Sequence, residues 1–325
     1  MKFSVILKDF LRPSRDVAFA FFGFLYDFFR FVKYGSWRNI KERDKKDYRA
    51  VKIYHRLEKS LSFKNRNTSS GLGAAEDFVR LLENKGFNPS DPSFQEVVGI
   101  KVLHDFLAVA DINENERAHL DSFLKKNINL VGECGGVIEF SSEKATSGKL
   151  DDPEQFFLSR SSVRDFKADP VEDKVILRAL ELAMKTPSVC NRQAWHVYHM
   201  DSRETIDRAL TLQNGNRGFG HNVPCLLVIT SDLKAFDTAG ERYQHWVDGG
   251  MFSMSIVMAL HALGLASCCL NWSKGAKDDM AFRKLIDIKG SHTVMMLLAV
   301  GYASDDLKVC YSARKPVDSI YTHLD

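Results

Sequence analysis

The chain has 325 residues, 45% of them hydrophobic, which is enough for one large domain or two ordinary domains with proper cores. Its formal net charge of +3 is nearly neutral for this length, and no nucleic-acid-binding motif is present, so a nucleic acid is not an expected partner. Six cysteines occur without Cys-x-x-Cys or Cys/His ligand spacing, which indicates reduced thiols of a cytoplasmic protein and argues against a disulfide framework.

The N-terminal segment is aromatic first and basic afterwards. Residues 17–32 contain seven phenylalanines, but Asp27 and Arg30 interrupt them, so the apolar stretch is too short for a spanning helix. Residues 41–66 then carry ten Lys/Arg against four Asp/Glu, an order that suits a helix lying on an anionic membrane surface. Two interpretations stay open for residues 17–66. One is peripheral contact with the inner face of the membrane, and the other is packing of the phenylalanines on the protein or at a dimer interface.

The stretch from residue 44 to about 130 has a helical pattern and no convincing alternating strand. One helix is closed by Gly86 and Pro89, and further helices are predicted at 94–110 and 114–126. These signals predict an all-helical N-terminal region.

Residues 130–152 are rich in Gly, Ser and acidic side chains and are interpreted as the joint between two domains, 1–150 and 151–325. After this joint the chain alternates between helix and strand. Asp169-Pro170 predicts the N-cap and first turn of a helix that ends before Pro187.

Short apolar runs bounded by turn residues predict strands at 195–200, 225–230 and 294–300. Residues 248–263 are apolar nearly all round. We therefore expect a helix there that is buried on every side, either in a core or against a partner subunit.

Four separated clusters carry side chains suited to an anion and a planar ring. The first supplies two guanidiniums and two hydroxyls within five residues: Arg160, Ser161, Ser162 and Arg164. Taken alone, it is equally consistent with arginines paired to Asp165 and Asp169. The second is a polar loop before the first strand, with Ser188, Asn191 and Gln193. The third runs from Gly264 to Asn271 and includes Cys269 and Leu270, and the last ends in the cations Arg314 and Lys315.

In this order the clusters resemble those of the nitroreductase family of FMN-dependent oxidoreductases, from about residue 156 to the C-terminus. The resemblance implies an α+β sandwich with a central, mostly antiparallel sheet and surrounding helices, here preceded by the all-helical region. It also implies a homodimer with FMN in the cleft between subunits and NADH or NADPH as electron donor. Residues 54–59 are faintly similar to long, N-terminally extended members, some of them encoded beside bacterial surface-polysaccharide genes.

The resemblance assigns roles to the matching positions one at a time. Arg160 and Ser162 would contact the FMN phosphate together with Arg314, helped by Lys315. Arg164 would lie by the N1/O2 edge of the isoalloxazine, where a fixed cation stabilises the negative charge of the reduced ring.

The remaining positions would surround the ring. Asn191 would hydrogen-bond the pyrimidine edge, with Ser188 and Gln193 as weaker neighbours, although a loop-capping role for Asn191 also stays open. Three residues would cover one face, with the backbone N–H near Asn271 directed at N5: Cys269, Leu270 and Asn271.

Departures from the family pattern leave substrate access and reduction potential open. Many members have a proline and an acidic residue where this chain has Cys269 and Asn271, and Ala194 replaces the usual proline before the first strand. Cys268 and Cys269 have no helix N-terminus or general base beside them, so they are interpreted as packing residues. No metal site is expected, because the histidines show no ligand spacing. A satisfied core histidine is the favoured interpretation of His261.

The predicted function is an FMN-dependent oxidoreductase in which NAD(P)H reduces the flavin and a small aromatic or conjugated acceptor reoxidises it, by a ping-pong mechanism. The flavin carries the chemistry, so no side chain need act as nucleophile. Two alternatives remain. One is a specialised branch of the same fold that modifies its flavin or dehalogenates an aromatic compound. The other is a flavin-binding accessory protein at the membrane surface. The sequence does not distinguish NADH from NADPH or name the acceptor.

Overall fold

The computed structural model describes residues 2–37, 40–65, 67 and 70–324, with side chains from residue 14 onward. Arg38, Asn39 and Arg66, which belong to the aromatic and basic stretch, lie outside the described residues.

Five helices form the N-terminal half: α1 (Lys2–Tyr34), α2 (Arg43–Ser62), α3 (Leu72–Asn84), α4 (Phe94–Val109) and α5 (Glu114–Lys126). Helices α2 to α5 share one buried apolar core, which includes Leu57, Phe78, Leu82, Phe106 and Leu120. The start of α4 is fixed by a capping box, in which Ser93 and Glu96 each bond the other's backbone N–H. The helices at 94–110 and 114–126 are confirmed almost to the residue.

Two short helices, α6 (Ser142–Thr146) and α7 (Pro153–Ser159), interrupt an otherwise irregular segment between the halves. The C-terminal half then contains α8 (Asp173–Ala183), β1 (Trp195–Met200), α9 (Arg203–Thr211), β2 (Cys225–Asp232), α10 (Gln244–Ala262), β3 (Ala266–Asn271), α11 (Ala276–Leu285) and β4 (His292–Gly301). The three predicted strands are present. The strand β3 was not predicted from the sequence.

The strands form one antiparallel sheet in the order β1-β2-β4-β3. Every residue of β2 is buried, because helices cover both faces of the sheet. Leu226 and Val228 share a core with residues of α9 and α11, whereas Leu227 and Ile229 share one with residues of α8 and α10. The predicted α+β class, with a central antiparallel sheet, surrounding helices and a preceding helical region, is confirmed. The division into domains 1–150 and 151–325 stays a prediction.

The C-terminal end of α1 is attached to the sheet domain. Tyr26 donates a hydrogen bond to Asp279 Oδ2 at 2.7 Å, and the buried Arg30 donates to Thr293 Oγ1 at 3.3 Å and to the carbonyl oxygen of His292 at 2.8 Å. Phe31 is buried in a small core that includes Phe236. Six other phenylalanines of α1 are between 57% and 69% exposed: Phe19, Phe21, Phe22, Phe24, Phe28 and Phe29.

One sequence expectation is corrected. The helix after Asp169-Pro170 begins at Asp173, because the preceding chain stays extended: Phe166 bridges Ala303, and the N–H of Lys167 donates to the carbonyl of Tyr302.

The helix expected at 248–263 is α10, which begins earlier, at Gln244. Within one chain Val247, Met251 and Met254 are 39% to 52% exposed, so one face of α10 is only partly covered. Burial of this face against a partner subunit stays a prediction.

Candidate functional site

The strip Arg160–Arg164 lies against β3. Ser162 forms a parallel bridge with Ser267, and the N–H of Val163 donates to the Ser267 carbonyl at 3.1 Å. Because side chains alternate along an extended segment, the buried Val163 holds the strip on the core while Ser162 and Arg164 point away from it. Arg160, Ser161 and Ser162 are half-buried, and Arg164 is exposed.

A cleft of about 360 Å³ opens beside this strip and includes Arg160, Ser161 and Ser267 in its lining. The C-terminal tail returns to the same region, because Arg164 Nη1 contacts Cys310 Sγ at 3.6 Å. Arg314 follows Cys310 by four residues, and Lys315 comes directly after it. The guanidinium of Arg314 donates to the carbonyl oxygen of Ser312.

These cations have no acidic partners. Among the residues that the structure describes, no carboxylate oxygen lies within 4 Å of the side-chain nitrogens of Arg160, Arg164, Arg314 or Lys315. The alternative that the arginines pair with neighbouring carboxylates therefore does not hold here: Asp165 accepts from Asn222, and no ion pair forms to Asp169. Guanidiniums beside two serine hydroxyls are the donor set that a phosphate group requires.

The expected ring-covering residues lie on β3, next to the strip. Cys269 and Asn271 are exposed, and Leu270 is buried between them. Arg160 is close enough to Cys269, and Arg164 to Cys268, to act electrostatically on each thiol. Burial nevertheless raises the pKa of the Cys268 thiol, so it is not an activated nucleophile.

The polar loop before β1 has an unusual backbone. Cys190, Asn191 and Gln193 all have φ near +50°, a conformation that non-glycine residues adopt only when their surroundings enforce it. The N–H of Gln193 donates to Ser188 Oγ at 2.9 Å, and its side-chain amide donates to Asn191 Oδ1 at 3.1 Å. Val189 N–H donates to Asp248 of α10 at 3.2 Å. Ser188, Asn191 and Gln193 therefore form one hydrogen-bonded unit.

Arg192 anchors this loop, and sequence reasoning gave it no role. Its side chain is fully buried and donates to the carbonyl oxygens of Val189 and Ala235, and to Glu241 Oε1 at 2.6 Å. Burial raises the pKa of Glu241, but the hydrogen bond from Arg192 and further donors outweigh it and lower that pKa to about 2. The sequence signal was weak, because a loop arginine is usually exposed.

Helix α2 braces the same loop from the N-terminal half. Lys52 lies 2.5 Å from Asp237 Oδ1 and 3.5 Å from Glu241 Oε1, and Arg49 forms an ion pair with Asp237. Glu241 thus connects a cation of the helical half to the arginine inside the loop.

One chain does not bring the two groups of candidate residues together. The loop leads into β1 at one edge of the sheet, whereas the strip lies against β3 at the opposite edge. Three strand spacings separate these edges, a distance of about 14 Å. The candidate residues thus form two groups. One group lies at the β3 edge, which the tail approaches: Arg160, Ser161, Ser162, Arg164, Cys269, Leu270 and Asn271. The other group lies at the β1 edge: Ser188, Asn191 and Gln193.

Some side chains are accounted for structurally. His261 Nε2 contacts Ser159 Oγ at 2.9 Å and the carbonyl oxygen of Phe156 at 3.0 Å, so this ring nitrogen has hydrogen-bond partners. Within the described ranges no group of three His, Cys, Asp or Glu side chains could hold a metal ion. None of the helices described there has a stretch long and apolar enough to cross a membrane.

The comparisons with known proteins agree with the order of motifs. The model of the nitroreductase family matches residues 158–213 and 207–302. YodC of Bacillus subtilis, provisionally named an NAD(P)H nitroreductase, is 22% identical in an alignment 201 residues long that covers 51% of this chain and 96% of its own. An FMN-dependent nitroreductase from Clostridium difficile is 20% identical (TM-score 0.45), over 52% of this chain and 98% of its own. A provisionally named nitroreductase from Desulfovibrio desulfuricans, solved with FMN, is 16% identical (TM-score 0.47), over 54% and 99%.

Proposed function

We propose that the C-terminal half of this chain, which matches the model of the nitroreductase family over residues 158–302, binds FMN and catalyses the NAD(P)H-dependent reduction of a small aromatic or conjugated acceptor by a ping-pong mechanism. The observation that carries this proposal is the set of cations without acidic partners beside Ser161 and Ser162. Bound FMN would supply the chemistry, since it accepts electrons from a nicotinamide and passes them on.

The chain's own residues bind and orient the cofactor. Arg160, Ser162 and Arg314 hold the phosphate through charge-assisted hydrogen bonds, and Lys315 adds a point charge. Arg164 faces the electron-rich edge of the ring and stabilises negative charge there. Leu270 gives β3 an apolar anchor, while its neighbours Cys269 and Asn271 cover one face and exclude water.

The second group of residues comes from a second copy of the chain. In one chain the loop with Asn191 and the strip lie at opposite edges of the sheet, about three strand spacings apart. A homodimer would bring the loop of one protomer to the strip of its partner, with the free face of α10 between them. The exposed Val247, Met251 and Met254 on that face support this arrangement.

The test is the visible spectrum of the purified full chain, recorded anaerobically before and after addition of NADH or NADPH. We expect a flavin spectrum that bleaches with one of the two donors. Arg160→Gln should reduce the bound flavin at least tenfold, whereas Arg178→Gln, an exposed α8 arginine paired with Glu181, should leave it unchanged. A colourless protein that does not bind added FMN would refute the proposal. Flavin that stays oxidised would favour the specialised branch.

We also propose that α1 contacts a membrane surface peripherally, at the inner face. Phe21, Leu25, Phe28 and Val32 recur at helical spacing, and Phe22 flanks them, so one face of the helix is apolar and largely unpartnered within the chain. Residues 1–34 carry six Lys/Arg against three Asp, a balance that suits anionic lipid.

The basic stretch at 41–66 contributes less to this contact than its composition indicates. Several of its cations are already paired within the protein: Lys45 with Glu42, Lys46 with Glu96, and Arg49 with Asp237. The proposal therefore rests on α1.

Co-sedimentation of the full chain with vesicles tests this. We expect the full chain to bind vesicles that contain phosphatidylglycerol. Binding should fall at least fivefold in a Phe21→Ser/Phe22→Ser variant and stay unchanged in Phe157→Ser, a control on α7. If the parent chain does not bind vesicles and the double variant dissociates a dimer, the membrane proposal is wrong and the aromatic face packs against a second copy of the chain.

A further inference from the structure

A cavity of about 280 Å³ lies between α1 and the start of α10, away from the flavin strip. Aromatic side chains from both helices line most of it: Phe24, Phe28, Phe31, Tyr243 and Trp246. Its size is slightly below the usual range for small-molecule sites, roughly 300–1,000 Å³, so it suits a ligand of one or two rings. Aromatic walls favour a flat ring, which can stack or meet them edge-on.

The charged groups around this cavity favour an anion. Arg30 and Arg242 both line it, and in the described part of the chain no carboxylate oxygen lies within 4 Å of either guanidinium. Arg30 is buried and bonds a hydroxyl and two backbone carbonyls, and Asp27 and Asp279 act on its charge without forming an ion pair to it. Asp27 supplies one negative charge to the lining. Two cations and one carboxylate leave a net charge of about +1 to be balanced.

A buried histidine adds an unsatisfied polar atom. His245 also lines the cavity and is 6% exposed, and its Nδ1 has no hydrogen-bond partner. Burial, with a smaller effect from Arg30, lowers the pKa of His245 to about 4, so the imidazole is neutral at pH 7. An orphaned polar atom at a buried site costs free energy that a bound polar group can recover.

We propose that this cavity is a binding site for a small aromatic monocarboxylate. The ring lies among the aromatic side chains, and the carboxylate accepts from the fork of donors of Arg242, which matches its two oxygens. Arg30, whose Nη2 already bonds two backbone carbonyls, adds its positive charge. A neutral ring of the same shape lacks this pairing and binds more weakly. The binding does not depend on the proposed reductase activity.

The site is connected to the loop that carries Asn191. His245 lies one helical turn before Asp248, and Asp248 accepts the hydrogen bond from the N–H of Val189. A ligand held against His245 thus lies next to the element that fixes the loop. This position suits an effector that acts on the loop.

Isothermal titration of the full chain with 2-naphthoate and with its neutral analogue 2-naphthamide tests the proposal. We expect one saturable site per chain for 2-naphthoate and at least tenfold weaker binding of the amide. Arg242→Gln should weaken naphthoate binding about tenfold, leave the amide unchanged and leave the flavin content unchanged. Arg242→Lys should restore part of the affinity. Arg242 is exposed, so these variants should keep the fold, which circular dichroism verifies.

The matched control is Arg217→Gln, an exposed arginine outside the cavity lining, which should bind naphthoate like the parent chain. The proposal is overturned if no saturable binding is found, if the amide binds as well as the acid, or if Arg242→Gln has no effect. It is also overturned if naphthoate binding is lost in Arg164→Gln, since the ligand would then occupy the flavin strip. Flavin content, read in the same samples, shows separately whether the reductase proposal stands.

Discussion

Replacement of Arg192 by methionine should strongly destabilise the protein, because this guanidinium is fully buried and holds the loop before β1. Methionine fills much of the same volume but leaves the carbonyl oxygens of Val189 and Ala235 without their donor and removes the partner of Glu241. A buried acceptor left unsatisfied costs about 1–3 kcal/mol, and breaking a buried ion pair costs about 3–5 kcal/mol. Since Lys52 still lies near Glu241, we expect a loss of about 4 kcal/mol in the free energy of unfolding.

A double-mutant cycle separates the ion pair from the other contacts. Arg192→Met, Glu241→Gln and the double variant are compared by urea unfolding followed through tryptophan fluorescence, and a coupling energy of about 2 kcal/mol is expected. The control is Arg178→Met, an exposed residue whose loss should cost less than about 0.5 kcal/mol. A coupling below about 0.5 kcal/mol would refute the inference that Glu241 holds Arg192 in place.

The ion pair between Arg192 and Glu241 predicts that the free energy of unfolding depends on pH. Despite burial, the hydrogen bond from Arg192 and further contacts lower the pKa of Glu241 from its ordinary 4.5 to about 2 in the folded protein, so the unfolded chain binds the proton more readily. The Glu241 carboxylate therefore contributes to the free energy of unfolding above pH 4.5, and this contribution is lost as the pH falls towards 2. The full shift corresponds to about 3 kcal/mol, and solvent screening of this partly exposed group reduces it to about 1–2 kcal/mol. The stability difference between the parent chain and Glu241→Gln should therefore shrink below pH 4.5.

Two further substitutions test the helical core and the sheet. Gly99→Ala should lower the free energy of urea unfolding by about 1–3 kcal/mol, since its Cβ would lie 2.2 Å from the Phe78 ring. The control Gly73→Ala should stabilise the protein, because nothing in the described part of the chain lies within 4 Å of its Cβ. Equal effects of the two substitutions would contradict the packing argument. Burial, with nearby cations, lowers the pKa of His292 to about 3, so its contribution is present above pH 6.5 and is lost as the pH falls towards 3. His292→Asn should flatten the stability profile between these values, and an unchanged slope would exclude His292 as its source.

Local signals predicted the elements whose ends are set by local interactions. The helix at 114–126 begins after Asn113, whose side chain caps it, and ends in two lysines that favour the negative end of the helix. The strand β3 was missed because its sequence, Ala266–Asn271, contains no β-branched residue, so its extended form depends on pairing with β4. Tertiary pairing also overrode the helix-start signal at Asp169-Pro170, since Phe166 is bound to Ala303 across the chain.

The candidate site was predictable where its residues are close in sequence. The strip with Arg160 and Arg164 was recognised because four donors fall within five positions. The anchoring of the loop was not, because Glu241 lies 49 residues after Arg192 and nothing local couples them. The free face of α10 shows a related limit, since an all-round apolar pattern does not distinguish a core from a surface that a partner covers.

The N-terminal half is connected to the candidate flavin site through charges, and this connection can be tested at Lys52. Lys52 holds Asp237 and Glu241, Glu241 holds Arg192, and Arg192 holds the backbone of the loop that presents Asn191. Each link restricts the next, so the loop's left-handed residues depend on a helix more than 130 positions earlier in the chain.

Lys52→Met should therefore loosen the loop without disturbing the strip at the other edge of the sheet. We expect faster hydrogen exchange at residues 188–194 and a three- to tenfold weaker affinity for FMN, measured by flavin fluorescence. The matched control is Lys59→Met, an exposed lysine on the same helix, which should change neither quantity. Faster exchange with unchanged FMN affinity would support the inference that Lys52 braces the loop, but it would contradict the inference that the loop belongs to the flavin site. Unchanged exchange would show that the helical half does not brace the loop, because the loop would then keep its strained backbone without Lys52.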